Sequence, residues 1–122
     1  MKRIEVPITV DASGDGIGYA APDRVHGHVH AIRYVKTDYA DGVDVTITGE
    51  TSGIPILTIT DMNASATYLP RAASCDIVAA ASLYAAAGEP VEDKIPIANE
   101  RIKLVVASGG VSTSGTFHIW VG

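Results

Sequence analysis

The chain has 122 residues, of which 47% are hydrophobic and 19% charged, and its formal net charge is −5 with histidine neutral. This length predicts a single domain over 1–122, and the composition is typical of a globular protein and excludes a disordered chain. The acidic balance, without a cluster of basic residues, argues against binding to nucleic acid or to an anionic membrane surface.

The first segment alternates apolar with polar residues, and its apolar positions are Ile4, Val6, Ile8 and Val10. This period of two predicts a half-buried strand. Pro7 places the strand at a sheet edge, because proline cannot donate a hydrogen bond to a ladder. Further strands are predicted over 17–21, 25–37, 43–48 and 54–60, the last of them buried.

The middle of the chain is less regular. Residues 61–74 read as a long loop with a short extended piece near Tyr68, and 76–87 favour a short helix over a strand of small side chains. Strands follow over 95–98, 101–107 and 116–121. The last two are expected to form a hairpin across a flexible loop of small residues at 108–115. The fold class predicted is all-β, an antiparallel, jelly-roll-like β-sandwich of seven to eight strands with at most one short helix.

Three histidines, His26, His28 and His30, occupy every second position of the third predicted strand. Alternate residues of a strand share one face about 6.5–7 Å apart, so strict alternation puts Ile32 and Tyr34 on that face too. Two such imidazoles can bind zinc, iron or copper when a neighbouring strand adds a ligand such as His118.

Cupin-type metal enzymes place a glutamate a few residues after such a pair, whereas 31–36 contains no acidic residue. The polar side of an ordinary strand is therefore the favoured interpretation, and a cupin-like metal site remains an alternative. A second alternative is a carbohydrate-binding sandwich, with Trp120, Tyr34 and Tyr68 as a stacking platform, although core or interface packing is favoured for these rings. No catalytic arrangement is recognisable, so the chain is predicted not to be an enzyme and to need no cofactor.

Three segments resemble one group of proteins: YADGVDVTITGETSG at 39–53, SLYAAAGEPVEDKIPIANERIKLVVASGG at 82–110 and SGTFHIWVG at 114–122. They are similar to small virion-type proteins of tailed bacteriophages and prophages. In that group an ERIK-V-V--GG strand and a GTFH---G strand close a short all-β chain. The resemblance covers roughly 39–122 and brings no catalytic residues.

The resemblance implies a structural component of the phage head or neck, most plausibly a capsid decoration protein made in the host cytoplasm and incorporated into the virion. Its expected partners are the major capsid protein and further copies of itself, with a trimer favoured. An N-terminal strand can add to a neighbour's sheet. The candidate interface residues are therefore Ile4, Val6, Pro7, His28, His30 and Trp120.

Overall fold

The structure, a computed structural model, describes residues 2–20, 24–73 and 92–122. All regular elements in these residues are strands: β1 (Lys2–Thr9), β2 (Gly16–Tyr19), β3 (Val25–Lys36), β4 (Val43–Gly49), β5 (Pro55–Met62), β6 (Ala66–Tyr68), β7 (Ala72–Ala73), β8 (Glu92–Asp93), β9 (Ile95–Glu100), β10 (Ile102–Ala107) and β11 (Ser114–Val121). The predicted all-β class is confirmed. The predicted helix at 76–87 lies outside the described residues.

The strands form two antiparallel sheets and a small ribbon. In sheet A the order is β1-β11-β3, and the far side of β3 pairs with β6 along one half and with β9 along the other. In sheet B the order is β2-β10-β4-β5, while β7 and β8 pair only with each other among the described strands. Leaving out the short β6, β7 and β8, eight strands make two four-stranded sheets in the order of a jelly roll, as predicted.

Alternating burial explains how the two sheets close on one core. The inward residues of sheet B include Val45, Ile47 and Leu104, and those of sheet A include Phe117 and Ile119, all at most 1% exposed. Core-facing residues of the same strand are two positions apart, so one face of every central strand is apolar. The period-two predictions for 43–48, 101–107 and 116–121 are confirmed.

The predicted hairpin between the last two strands is wrong. β10 pairs with β2 and β4 in sheet B, whereas β11 pairs with β1 and β3 in sheet A. The connection at 108–113 therefore crosses from one sheet to the other. Alternation in a sequence predicts which side chains face the core, but it does not predict which strands pair with each other.

The strand predicted as buried at 54–60 is an edge strand. β5 pairs with β4 alone among the described strands, and Leu57 and Ile59 are only partly buried. Its register with β4 shifts twice, and Pro55 begins it. Bulges and an edge proline are common devices that keep an open edge from pairing with other chains.

The edge position predicted for the first strand is confirmed, since β1 ends the order of sheet A. The extended piece predicted near Tyr68 is also confirmed, as β6. Neither prediction required knowledge of the partner strand. A proline and an alternating pattern mark a position in a sheet locally.

Candidate functional site

The histidine strand β3 is interrupted by two irregularities. Gly27 has a φ of 109°, a conformation that favours glycine. Against β11, Trp120 pairs with Ala31 while Val121 pairs with Val29, so His30 is an extra residue in the ladder. This bulge changes which side chains face the core.

The predicted common face for His26, His28, Ile32 and Tyr34 is wrong because of this bulge. Ile32 and Tyr34 are 1% and 0% exposed in the core, whereas His26 and His28 are exposed to solvent. Period-two alternation holds on either side of the bulge and fails across it. No sequence signal marks the bulge at His30.

The four histidines do not converge. The His30 ring places Nε2 2.8 Å from the carbonyl oxygen of Gly122, which can only accept, so this nitrogen carries the proton. His118 lies on β11 beside Trp120, with ring centroids 6.2 Å apart, and its Nδ1 is buried with no hydrogen-bond partner among the described residues. Within 2–20, 24–73 and 92–122, no three His, Cys, Asp or Glu side chains are arranged to hold a metal ion. The cupin-like alternative therefore gains no support from the geometry.

The candidate interface residues separate into two groups. Ile4 and Val6 are 8% and 4% exposed and pack in the core, so their side chains are not available to a partner. Pro7 is exposed, and Trp120 is half-buried on the face of sheet A that points away from sheet B. We call this surface the outer face of sheet A, and it comprises Arg3, Glu5, Pro7, Ala31, Arg33, Val35, Thr116, His118 and Trp120.

Sheet A also contains the remaining interface candidates and the three aromatic residues of the alternative carbohydrate-stacking platform. His28 is exposed and His30 is half-buried at the Val121 end of β11. Tyr34 points into the core, against Phe117 at a centroid distance of 5.2 Å, while Trp120 is on the opposite face. Tyr68 packs against the core as well. These three aromatic rings therefore do not form one stacking surface.

Three connections meet at one end of the sandwich, and the sequence alone did not indicate that they would. We call this surface, formed by residues 11–15, 38–41 and 108–113, the loop platform. Four backbone N–H groups donate across it over 2.8–3.1 Å: Val10 to the Thr113 oxygen, Ser112 to Asp11, Gly109 to Gly14 and Ala40 to Gly109. The loop predicted to be flexible is thus bonded on both sides.

Side chains add to this bonding. The Asp11 carboxylate accepts from the amides of Ser13 and Asp15 at 2.8 and 3.1 Å, a local pattern typical of Asx turns. Asp38 accepts from the amide of Ser114 at 2.6 Å. The short polar residues at 11–16, DASGDG, are the one sequence signal of this arrangement. They indicate a turn, but they do not indicate its neighbours.

Val111 lies at the exposed part of the loop platform. Its side chain is 72% exposed, and Asp11, Asp15 and Asp38 of the same platform are exposed as well. The backbone on both sides of it is unusual, with positive φ at Ser108, Gly110 and Ser112. Left-handed conformations of serine persist only where surrounding bonds hold them.

A buried carboxylate organises the opposite end of sheet B. Glu100 is 3% exposed and accepts from the amides of Thr51 and Ser52 at 3.0 Å and from the Ser52 hydroxyl at 3.1 Å. These hydrogen bonds, the one from the Ser52 amide foremost, hold the pKa of Glu100 below its ordinary value. Glu100 therefore holds the 50–53 turn in place as an anion.

Beside it, Arg101 connects two strands. Its Nε donates to Glu50 Oε2 at 2.6 Å, and its guanidinium lies 4.3 Å from the centre of the Tyr19 ring. The hydrogen bond from Arg101 is the main reason that the pKa of Glu50 is lowered. This arrangement fixes the β4–β5 connection against β2 and β10, which is a structural role.

An open cleft of about 330 Å³ lies at the end of sheet A away from the loop platform. Its lining comprises Lys2, Arg24, Val25, His26, Val121 and Gly122.

No protein-family model matches the chain, and no curated protein or solved structure matches it. Among the residues that the structure describes, no helix is long and apolar enough to cross a membrane. Structural support for a functional interpretation therefore comes from the fold and the two surfaces defined above.

Proposed function

We propose that the chain is a structural component of a tailed-phage virion, a decoration protein that binds the major capsid protein through the loop platform. The resemblance of 39–53, 82–110 and 114–122 to virion-type proteins supplies the class. The observation that carries the proposal is the bonded loop platform, with Val111 72% exposed among carboxylates.

The platform has the composition of a protein-binding surface. An exposed apolar side chain on the same surface as exposed carboxylates resembles the centre and rim of a typical interface. Loops that are already fixed lose little conformational entropy when a partner binds, which favours affinity. The left-handed serines at 108 and 112 represent strain retained at this position, and such strain is often found at functional sites.

The jelly roll fits this proposal and does not prove it. Viral capsid domains, lectins and cupins all use this architecture, so fold alone does not assign function. The net charge of −5 suits a particle exterior better than contact with packaged DNA. The trimer suggested by the resemblance remains a prediction.

The test is co-sedimentation of the purified chain with heads of the tailed phage or prophage whose genome encodes it. Val111→Asp should weaken binding at least about tenfold, because it places a charge in the apolar centre of the contact. Leu69→Asp is the matched control, since Leu69 is another exposed aliphatic residue, 63% exposed, outside the platform.

Binding by wild type and by Leu69→Asp, together with loss in Val111→Asp, is the expected result. Equal binding of both variants would remove the platform from the proposal. No binding of the wild-type chain to heads would contradict the decoration function itself.

A further inference from the structure

The outer face of sheet A carries an ordered pattern of side chains across three strands. In the register of the sheet, each row runs from β1 through β11 to β3: Arg3, Trp120 and Ala31; then Glu5, His118 and Arg33; then Pro7, Thr116 and Val35. Directly opposed side chains of adjacent strands are neighbours about 5 Å apart. β11 is therefore the middle line of this surface.

The middle row carries a negative charge on β1 and a positive charge on β3. Glu5 lies on one side of His118 and Arg33 on the other, both exposed and two strands apart, or roughly 10 Å. Arg33 donates to the Thr67 hydroxyl at 2.8 Å. In the part of the chain that the structure describes, Glu5 makes no ion pair. Glu5 and Arg33 therefore form no ion pair with each other within one molecule.

We infer that the outer face of sheet A pairs with the same face of a second copy of this chain, about a two-fold axis parallel to β11. That rotation places β1 of one copy over β3 of the other. Glu5 then faces Arg33 of the second copy, and Arg33 faces its Glu5, so two ion pairs form across the contact. Sheets packed face to face keep their strands within about 30° of each other, which preserves this correspondence.

The other two rows meet under the same rotation, which places Arg3 opposite Ala31 and Pro7 opposite Val35 of the second copy. Trp120 and His118, both on β11, face their own equivalents along the axis. Tryptophan is enriched among the residues that contribute most to binding. An acid and a base at equal distances from the middle strand make the face complementary to itself, which is the requirement of a two-fold contact.

This inference differs from the expected trimer and does not depend on binding to a capsid. A closed trimer needs two different surfaces that contact each other head to tail, whereas this face matches its own copy. The molecular mass in solution separates the two arrangements.

The experiment is sedimentation equilibrium of the full chain over a wide range of protein concentration, with three variants: Glu5→Arg, Arg33→Glu and the double exchange. Each single reversal replaces two attractions with two repulsions and should raise the dissociation constant of the dimer at least about tenfold. The double exchange restores opposite charges and should recover dimerisation. Thr58→Arg, at an exposed strand position of sheet B, is the control and should associate like wild type.

A mass that approaches twice the monomer, lost in each single variant and recovered in the double variant, is the expected result. A wild-type chain that stays monomeric, a trimeric mass, or single variants that associate like wild type would each overturn the inference. All three positions changed in these variants are exposed and point away from the core. Unchanged unfolding curves verify that any loss of association is not a loss of fold.

Discussion

The hydroxyl groups of two buried tyrosines give a sharp test of the core. Tyr39 is 2% exposed, and its hydroxyl donates to the Ile8 carbonyl oxygen at 2.6 Å. The side chain of Tyr34 is fully buried, and among the described residues its hydroxyl has no hydrogen-bond partner. Tyr39→Phe and Tyr34→Phe remove the same atom, and only the first removes a hydrogen bond.

The expected effects on stability follow from this difference. Tyr39→Phe leaves the buried Ile8 carbonyl without its donor, which should lower the free energy of unfolding by about 1–3 kcal/mol. Tyr34→Phe removes a hydroxyl that is desolvated without compensation, so stability should be unchanged or slightly higher. Burial, the main cause, raises the pKa of Tyr34 to about 12, which agrees with an unfavourable site for the phenolate.

Equilibrium unfolding in urea measures both effects. The two variants keep the ring contacts between Tyr34, Tyr39 and Phe117, so their denaturant slopes should equal that of wild type and only the midpoints should differ. Equal midpoints for Tyr39→Phe and Tyr34→Phe would refute the assignment of the Tyr39–Ile8 hydrogen bond.

Three further predictions concern the turn at Glu100, the bulged strand and the histidines. Hydrogen bonds hold the pKa of Glu100 below its ordinary value of 4.5. The contribution of Glu100 to stability is therefore present above that value and is lost as the pH falls through the lowered pKa. In acid titrations followed by circular dichroism, Glu100→Gln should show a shallower loss of stability than wild type. Gly27→Ala should lower the free energy of unfolding by about 1–3 kcal/mol, because alanine is strained at positive φ and its methyl group would lie 2.8 Å from the backbone carbon of Gly122; a chemical denaturation curve that matches wild type would contradict this. Added zinc should shift the melting temperature of neither wild type nor His28→Ala, since the histidines do not converge. A zinc-dependent rise in the melting temperature of wild type alone would restore the metal hypothesis.

Much of the fold was predictable because strands with one buried face have a local signature. The alternation in 43–48, 101–107 and 116–121 fixed the inward residues, and Pro7 fixed the edge position of β1. Pairing was not predictable to the same degree. Strands close in sequence usually pair, which favoured the hairpin of β10 with β11, and a jelly roll places these two strands in different sheets.

The candidate site was less predictable because it depends on single residues and on distant contacts. One extra residue at His30 reversed the faces of β3, and an alternating pattern contains no sign of such a bulge. Tyr39 lies in the connection between β3 and β4, yet its ring enters the core because Gly115 provides room; a side chain at Gly115 would overlap that ring. The loop platform depends on bonds between segments about 70 to 100 residues apart, and no local motif encodes them.

Cryo-electron microscopy of phage heads incubated with the purified chain tests the central claim most directly. The decoration proposal predicts regularly placed additional density on the capsid exterior, with the end of the jelly roll that carries Val111 against the major capsid protein. Val111→Asp should remove this density, and Leu69→Asp should retain it. Heads without added density at saturating wild-type protein, or density attached through another end of the molecule, would contradict the account.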